Sequence, residues 1–99
     1  MYARFYRFNI KAESFNEMLD YFDKVAKPLI ESVDGHLGIQ SVRTSDSETI
    51  MASFYRDKEA AEFATEKAAP IFMEMSKWMS SSPEVLGEGE VMRSLNLGY

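Results

Sequence analysis

Cysteine is absent from the 99 residues. That excludes disulfide frameworks, thiolate nucleophiles and zinc sites built on sulfur. Histidine occurs once, at His36, so no cluster with transition-metal spacing can be assembled and no metal site is expected. Positive charge is scarce: 11 lysines and arginines face 16 aspartates and glutamates, a formal net charge of −5. Phosphate contacts need a basic patch, which argues against nucleic acid as a partner. No apolar run approaches the roughly 18 residues that span a bilayer, so no membrane partner is expected either. The opening residues Met1 to Phe8 lack the basic and apolar regions of a secretory leader, and with no cysteines the expectation is a cytoplasmic protein. There is no P-loop, dinucleotide fingerprint, HExxH or EF-hand loop. What is present is an ordinary globular composition, 45% hydrophobic and 27% charged, expected to form a single domain over residues 1–99.

Residues Tyr2 to Ile10 alternate as a strand whose two faces are Tyr2, Arg4, Tyr6, Phe8, Ile10 and Ala3, Phe5, Arg7, Asn9. Ser14 followed three residues later by Glu17 reads as a capping box. The helix it opens runs to about Val33, with Met18, Leu19, Phe22, Val25, Ala26, Leu29, Ile30 and Val33 in one stripe. Pro28 predicts a kink and Gly35 a left-handed cap. His36 to Gly38 reads as a link. Ile39 to Thr44 is a polar second strand, joined by a turn at Ser45 to Glu48 to an apolar third strand, Thr49 to Arg56. Asp57 caps a second helix whose stripe runs from Ala61 to Met79 around Pro70. Ser80 to Pro83 stops it, and Val85 to Leu95 is a last strand in which Gly87 and Gly89 predict a bulge or close approach. The tail Asn96 to Tyr99 is expected to be loose.

The order β-α-β-β-α-β specifies an α+β, ferredoxin-like fold with a four-stranded antiparallel sheet. The first and third strands lie at its centre and both helices on one face. The two halves echo one another: Ala26 to Ile30 resembles Ala68 to Phe72, at the offset that also relates Phe8 to Ile50. A face turned to water should be polar, yet both faces of the first and third strands are apolar. Two copies packed sheet against sheet account for this, so a homodimer is expected.

The start Met1-Tyr2-Ala3-Arg4-Phe5, the mid-helix Pro28, the Gly35-His36-Leu37-Gly38 link and Phe54-Tyr55-Arg56 running into Asp57-Lys58-Glu59-Ala60-Ala61 carry a resemblance. The chain resembles the antibiotic biosynthesis monooxygenase-like group of dimeric α+β barrel proteins. The resemblance spans nearly the whole chain, and its motifs are structural, so it implies the fold more strongly than an activity. It implies a cofactor-independent oxygenase of a small aromatic or quinol-like molecule, with no cofactor. The haem-degrading branch of the group uses an Asn on the first strand with a Trp and a His on the second helix. Here the first-strand position is Tyr6, Trp78 stands near the helix end and His36 lies in a link, which sets that branch aside.

The candidate catalytic residues are Arg4, Tyr6 and His36. Arg4 amid aromatics needs a partner and has the chemistry to stabilise an oxyanion; the plain alternative is an ion pair with a helix glutamate. His36 titrates near neutrality and is either a general base for a phenol or a loop residue beside a helix end. Tyr55, Trp78 and Met75 are the candidate ligand-binding residues. Trp78 with Met73, Met75 and Met79 forms either an adaptable apolar pocket or plain core. Ser53 has no base in evidence. Glu13, Glu17, Asp20 and Asp23 are spaced as a solvated helix face, and Glu84, Glu88 and Glu90 read as protection of an edge strand. A non-catalytic binder of a small hydrophobic molecule, or a stress-related dimer, fits the same composition.

Overall fold

The computed structural model describes residues 1–95; the tail from Asn96 onward, expected to be loose, lies outside them. Strand β1 (Tyr2–Asn9) leads through a tight turn (Ala12–Ser14) into a first helical region. That region is built from α1 (Phe15–Tyr21), a wide π turn (Phe22–Ala26) and α2 (Lys27–Glu31). Then follow β2 (His36–Ser45), β3 (Glu48–Tyr55), α3 (Lys58–Met75), a short turn (Ser76–Trp78) and β4 (Glu84–Glu90). The strands form one antiparallel sheet in the order β2-β3-β1-β4. This is the ferredoxin-like arrangement, with the most apolar strands central.

Alternation along the central pair sorts the side chains. Tyr2, Arg4, Tyr6 and Phe8 stand in register with Tyr55, Ser53, Met51 and Thr49 and face the helices. Ala3, Phe5 and Arg7 stand opposite Phe54, Ala52 and Ile50 on the outer face. Asp57 caps α3 as its sequence predicts, its Oδ1 accepting from the Ala60 N–H at 2.8 Å. Gly35 has φ +84°, and a Cβ there would lie 2.6 Å from the Ala60 Cβ. Only glycine combines that backbone with so close an approach.

Several local expectations are corrected. Ser14 makes no capping hydrogen bond: it closes the preceding turn, its N–H donating to the Lys11 carbonyl, with φ −103° and ψ 2° rather than the extended backbone of a cap. Glu17 instead accepts from the Trp78 indole N–H at 3.0 Å, so it is not simply part of a solvated face. Pro28 does not act through a simple kink. The chain widens just before it, where the Lys27 N–H reaches back five residues to the Phe22 carbonyl. α3 runs through Pro70 to Met75. His36 belongs to β2 rather than to a link, and the last strand ends at Glu90. The bulge falls where Phe5 pairs with Gly87 and Tyr6 with Val85, which leaves Leu86 as the extra residue. The internal echo is partial in the helices and absent in the strands. Ile30 and Phe72 both turn inward, but Leu29 is exposed where Ile71 is buried. Pro28 opens α2 behind a π turn while Pro70 lies inside α3, and Phe8 faces the helices while Ile50 faces outward.

Two buried clusters fill the helix–sheet interface. The larger holds Tyr6, Phe8, Ile10, Phe15, Met18, Ile71, Met75, Trp78 and Met79; the smaller holds Tyr2, Val33, Tyr55, Ala60, Ala61 and Ala64. The outer face remains uncovered: Phe5 is 42% exposed and Val42 59%. Arg7 bridges Glu48 and Glu84 on that face.

Candidate functional site

β1 points Arg4 into the helix–sheet interface, where a cation is costly unless paired. Its partner is Glu88 on the neighbouring edge strand. Arg4 Nε donates to Glu88 Oε2 at 2.7 Å, and the Tyr2 hydroxyl donates to Glu88 Oε1 at 2.7 Å. Arg4 Nη1 reaches the Tyr6 hydroxyl oxygen at 3.4 Å and also donates to Thr65 Oγ1. Burial alone would lower the Arg4 pKa; the bonds to Tyr6 and Glu88 outweigh it and hold the guanidinium above its ordinary value. The Tyr2 and Arg4 bonds hold the Glu88 carboxyl below its ordinary range, and the same Glu88 bond raises Tyr2. The expected ion pair thus exists, with a strand glutamate rather than a helix one, and Glu88 does more than protect an edge.

Tyr6 accepts from Arg4, which leaves its own O–H free to donate. It lines a small nook of about 30 Å³ with Ser53, Tyr55 and Thr65. Ser53 is 1% exposed and its Oγ has no partner. Burial pushes the Tyr55 phenol up. Beside the nook lies a larger apolar cavity of about 320 Å³, within the range of small-molecule sites. The two spaces share Ile30, Met51, Ala68 and Phe72 as walls. Both echoed helix segments reach the larger one, through Ala26 and Ile30 on one side and Ala68 and Phe72 on the other. β2 contributes only Ser41 and Arg43 to its wall, and the π turn contributes Phe22, Asp23 and Ala26. Thr49, buried on β3, also lines it, with Oγ1 unpartnered.

The structure therefore brings Arg4, Tyr6 and Tyr55 together and sets Met75 on the wall of the adjoining cavity. His36 lies apart, on an open groove that shares Ile30 and Ile39 with the nook. Its ring meets Tyr55 edge-on at 5.9 Å, its Nε2 is unpartnered, and desolvation lowers its pKa below the ordinary histidine value. Trp78 packs against Tyr21 and Met79 is core, while Met73 is 77% exposed and outside the interface. Tyr2, Thr49 and Thr65 are polar members of the site that sequence reasoning did not single out, and Glu88 is one that the sequence suggests only as edge protection. For Glu88 the one local signal was a glutamate between two glycines.

Residues 1–69 match the family model described as antibiotic biosynthesis monooxygenase. The chain belongs to the antibiotic biosynthesis monooxygenase family. No curated protein matches it in sequence. Among solved structures, a protein of unknown function from Nitrosomonas europaea superposes with a TM-score of 0.80 at 18% identity, over 96% of this chain and 92% of that one. A monooxygenase of Streptomyces coelicolor, in complex with the ligand nanaomycin D, gives 0.78 at 10% identity over 96% and 90%. SnoaB, a cofactor-independent oxygenase of Streptomyces nogalater, gives 0.73 at 13% identity over 95% of each. These likenesses show that the family's fold extends over nearly the whole chain. No helix among the described residues is long and apolar enough to cross a membrane.

Proposed function

We propose that this family member is a cofactor-independent monooxygenase of a small aromatic or quinol-like molecule. The observation that carries the reading is the apolar cavity of about 320 Å³ adjoining a nook into which Tyr6, Ser53, Tyr55 and Thr65 reach, with Arg4 bonded to the Tyr6 hydroxyl. The aromatic body of the substrate lies in the cavity and its hydroxyl reaches the nook. There the free Tyr6 O–H, polarised by Arg4, stabilises the phenolate as it forms. His36 lies on the separate groove and is not within reach of that hydroxyl, so the phenol proton passes to solvent. The electron-rich phenolate then reduces dioxygen. A ring C–H para to the hydroxyl becomes a carbonyl, the second oxygen atom leaves as water, and the substrate supplies all four electrons. The ligand-bound Streptomyces coelicolor relative and SnoaB support the substrate class.

Oxygen uptake with a panel of quinols and phenolic polycycles tests this. Wild type is expected to consume oxygen above a buffer blank. Tyr6→Phe is expected to lose about tenfold or more in rate and Arg4→Ala more still, in line with loss of an oxyanion donor. No uptake with any substrate would remove the reading. The position of His36 on a separate groove favours one alternative, a non-catalytic binder, for which ligand binding without oxygen uptake is the signature.

The exposed Phe5 and Val42, with Phe54 and Ile50 beside them, support a second copy of the chain as the cover of the outer sheet face, since patches of this kind are uncommon on monomers. Sedimentation at micromolar concentration is expected to give a dimer. A lone species of 11.3 kDa would exclude it.

A further inference from the structure

Arg43 stands on the inner face of β2, in register with Thr49, and both line the larger cavity. The solvent-exposed residues of its wall are Leu19, Asp23, Ser41 and Arg43, so the cavity opens between the first helical region and the β2 edge. The Arg43 guanidinium carbon lies 3.7 Å from the centroid of the Phe15 ring. Its Nε donates to the Ser45 carbonyl at 3.1 Å and its Nη2 to the Asp46 carbonyl at 3.0 Å. A guanidinium has five N–H donors, so three remain free. Arg4, Arg7 and Arg56 are each paired with a carboxylate. Among the described residues Arg43 has no such partner, and Asp23 on the helical side of the rim is not within ion-pair reach of it.

A cation fixed by a ring and two carbonyls, but not neutralised, is pre-ordered for an incoming anion. The chain's net charge of −5 disfavours anionic ligands elsewhere, so the local charge at the mouth decides. Deeper in, Thr49 is 6% exposed and its hydroxyl lacks any partner, which is costly unless a ligand supplies one. We infer that the cavity selects an aromatic monoacid. Its rings lie among Phe8, Phe15, Phe72 and Met75, a ring hydroxyl or carbonyl bonds Thr49 Oγ1, and its carboxylate stays at the mouth on the free N–H groups of Arg43. Asp23 repels a second anionic group. This rests on the reading that the cavity takes an aromatic molecule and narrows its substrate class.

The test is titration calorimetry with 6-hydroxy-2-naphthoate and 6-hydroxy-2-naphthamide, which differ in charge and hardly in shape. Wild type is expected to bind the acid about tenfold more tightly than the amide. Arg43→Gln should abolish that preference, the acid losing about tenfold more affinity than the amide, whereas Thr49→Val should weaken both ligands by the same factor. Equal affinities in wild type, a preference that survives Arg43→Gln, or binding of neither ligand overturns the inference. Selective binding of the acid without oxygen uptake by any substrate would overturn the oxygenase reading and uphold this one. Uptake with neutral phenols but no preference for the acid would do the reverse.

Discussion

The two ends of the helix–sheet interface are built from the same sheet and the same long helix, yet one is closed and the other hollow. At the closed end, α3 presents Ala60, Ala61 and Ala64 over Tyr2 and Tyr55, and Gly35 lets the β2 entrance come against Ala60. Small side chains let backbones approach, and only the nook of about 30 Å³ beside Tyr55 and Ala64 is left. At the hollow end the same helix presents Ile71, Phe72 and Met75, the π turn widens the facing helix, and β2 supplies Ser41 where a large apolar residue would have plugged the gap. The polar network of Arg4 and Glu88 borders the closed end and keeps its charges paired. The unpartnered hydroxyls of Ser53 and Thr49 face the spaces toward the hollow end. A cavity in this fold is therefore made by residue size along one helix and one edge strand, with no change of topology.

Gly35→Ala strikes the closed end hardest. The new Cβ meets a left-handed backbone and the Ala60 Cβ together, and a loss of about 3 kcal/mol is expected by denaturant unfolding. A loss below about 1 kcal/mol would show that this end has slack. Next comes a matched pair on α3. Ala61→Leu, in the closed end, should destabilise by about 1–3 kcal/mol. Ala68→Leu, on the wall shared by cavity and nook, should change stability by less than about 1 kcal/mol while abolishing ligand binding. Equal losses at both positions would erase the distinction between the ends. The smallest effect concerns pH. Because the folded-state pKa of Glu88 is depressed, its contribution is complete above the ordinary carboxylate range. It fades as pH falls through that range toward the folded value. Glu88→Gln should flatten this part of the acid unfolding profile, and an unchanged profile would show that the Arg4 pair does not contribute there.

Much of the fold was legible because its signals are local. The alternation of Tyr2 to Ile10, the Asp57 cap, the Gly35 turn and the polar edge strand each depend on neighbouring residues and were read as the structure has them. The capping box failed because Ser14 and Glu17 found other roles once the chain had folded: one inside a turn, the other beneath Trp78. Of the candidate site residues, Arg4, Tyr6 and Tyr55 converge because strand parity places them on one face of adjacent strands. His36 and Trp78 do not join them, because residue type alone does not carry position.

By itself the sequence determined the order of elements, the faces of the central strands and the need of Arg4 for a partner, because period, turn chemistry and charge act over a few residues. Only the tertiary structure decided who that partner is, 84 residues away, and where the empty space lies. Pairing and cavity volume depend on which distant side chains share one interface and how large they are, and no local pattern encodes that.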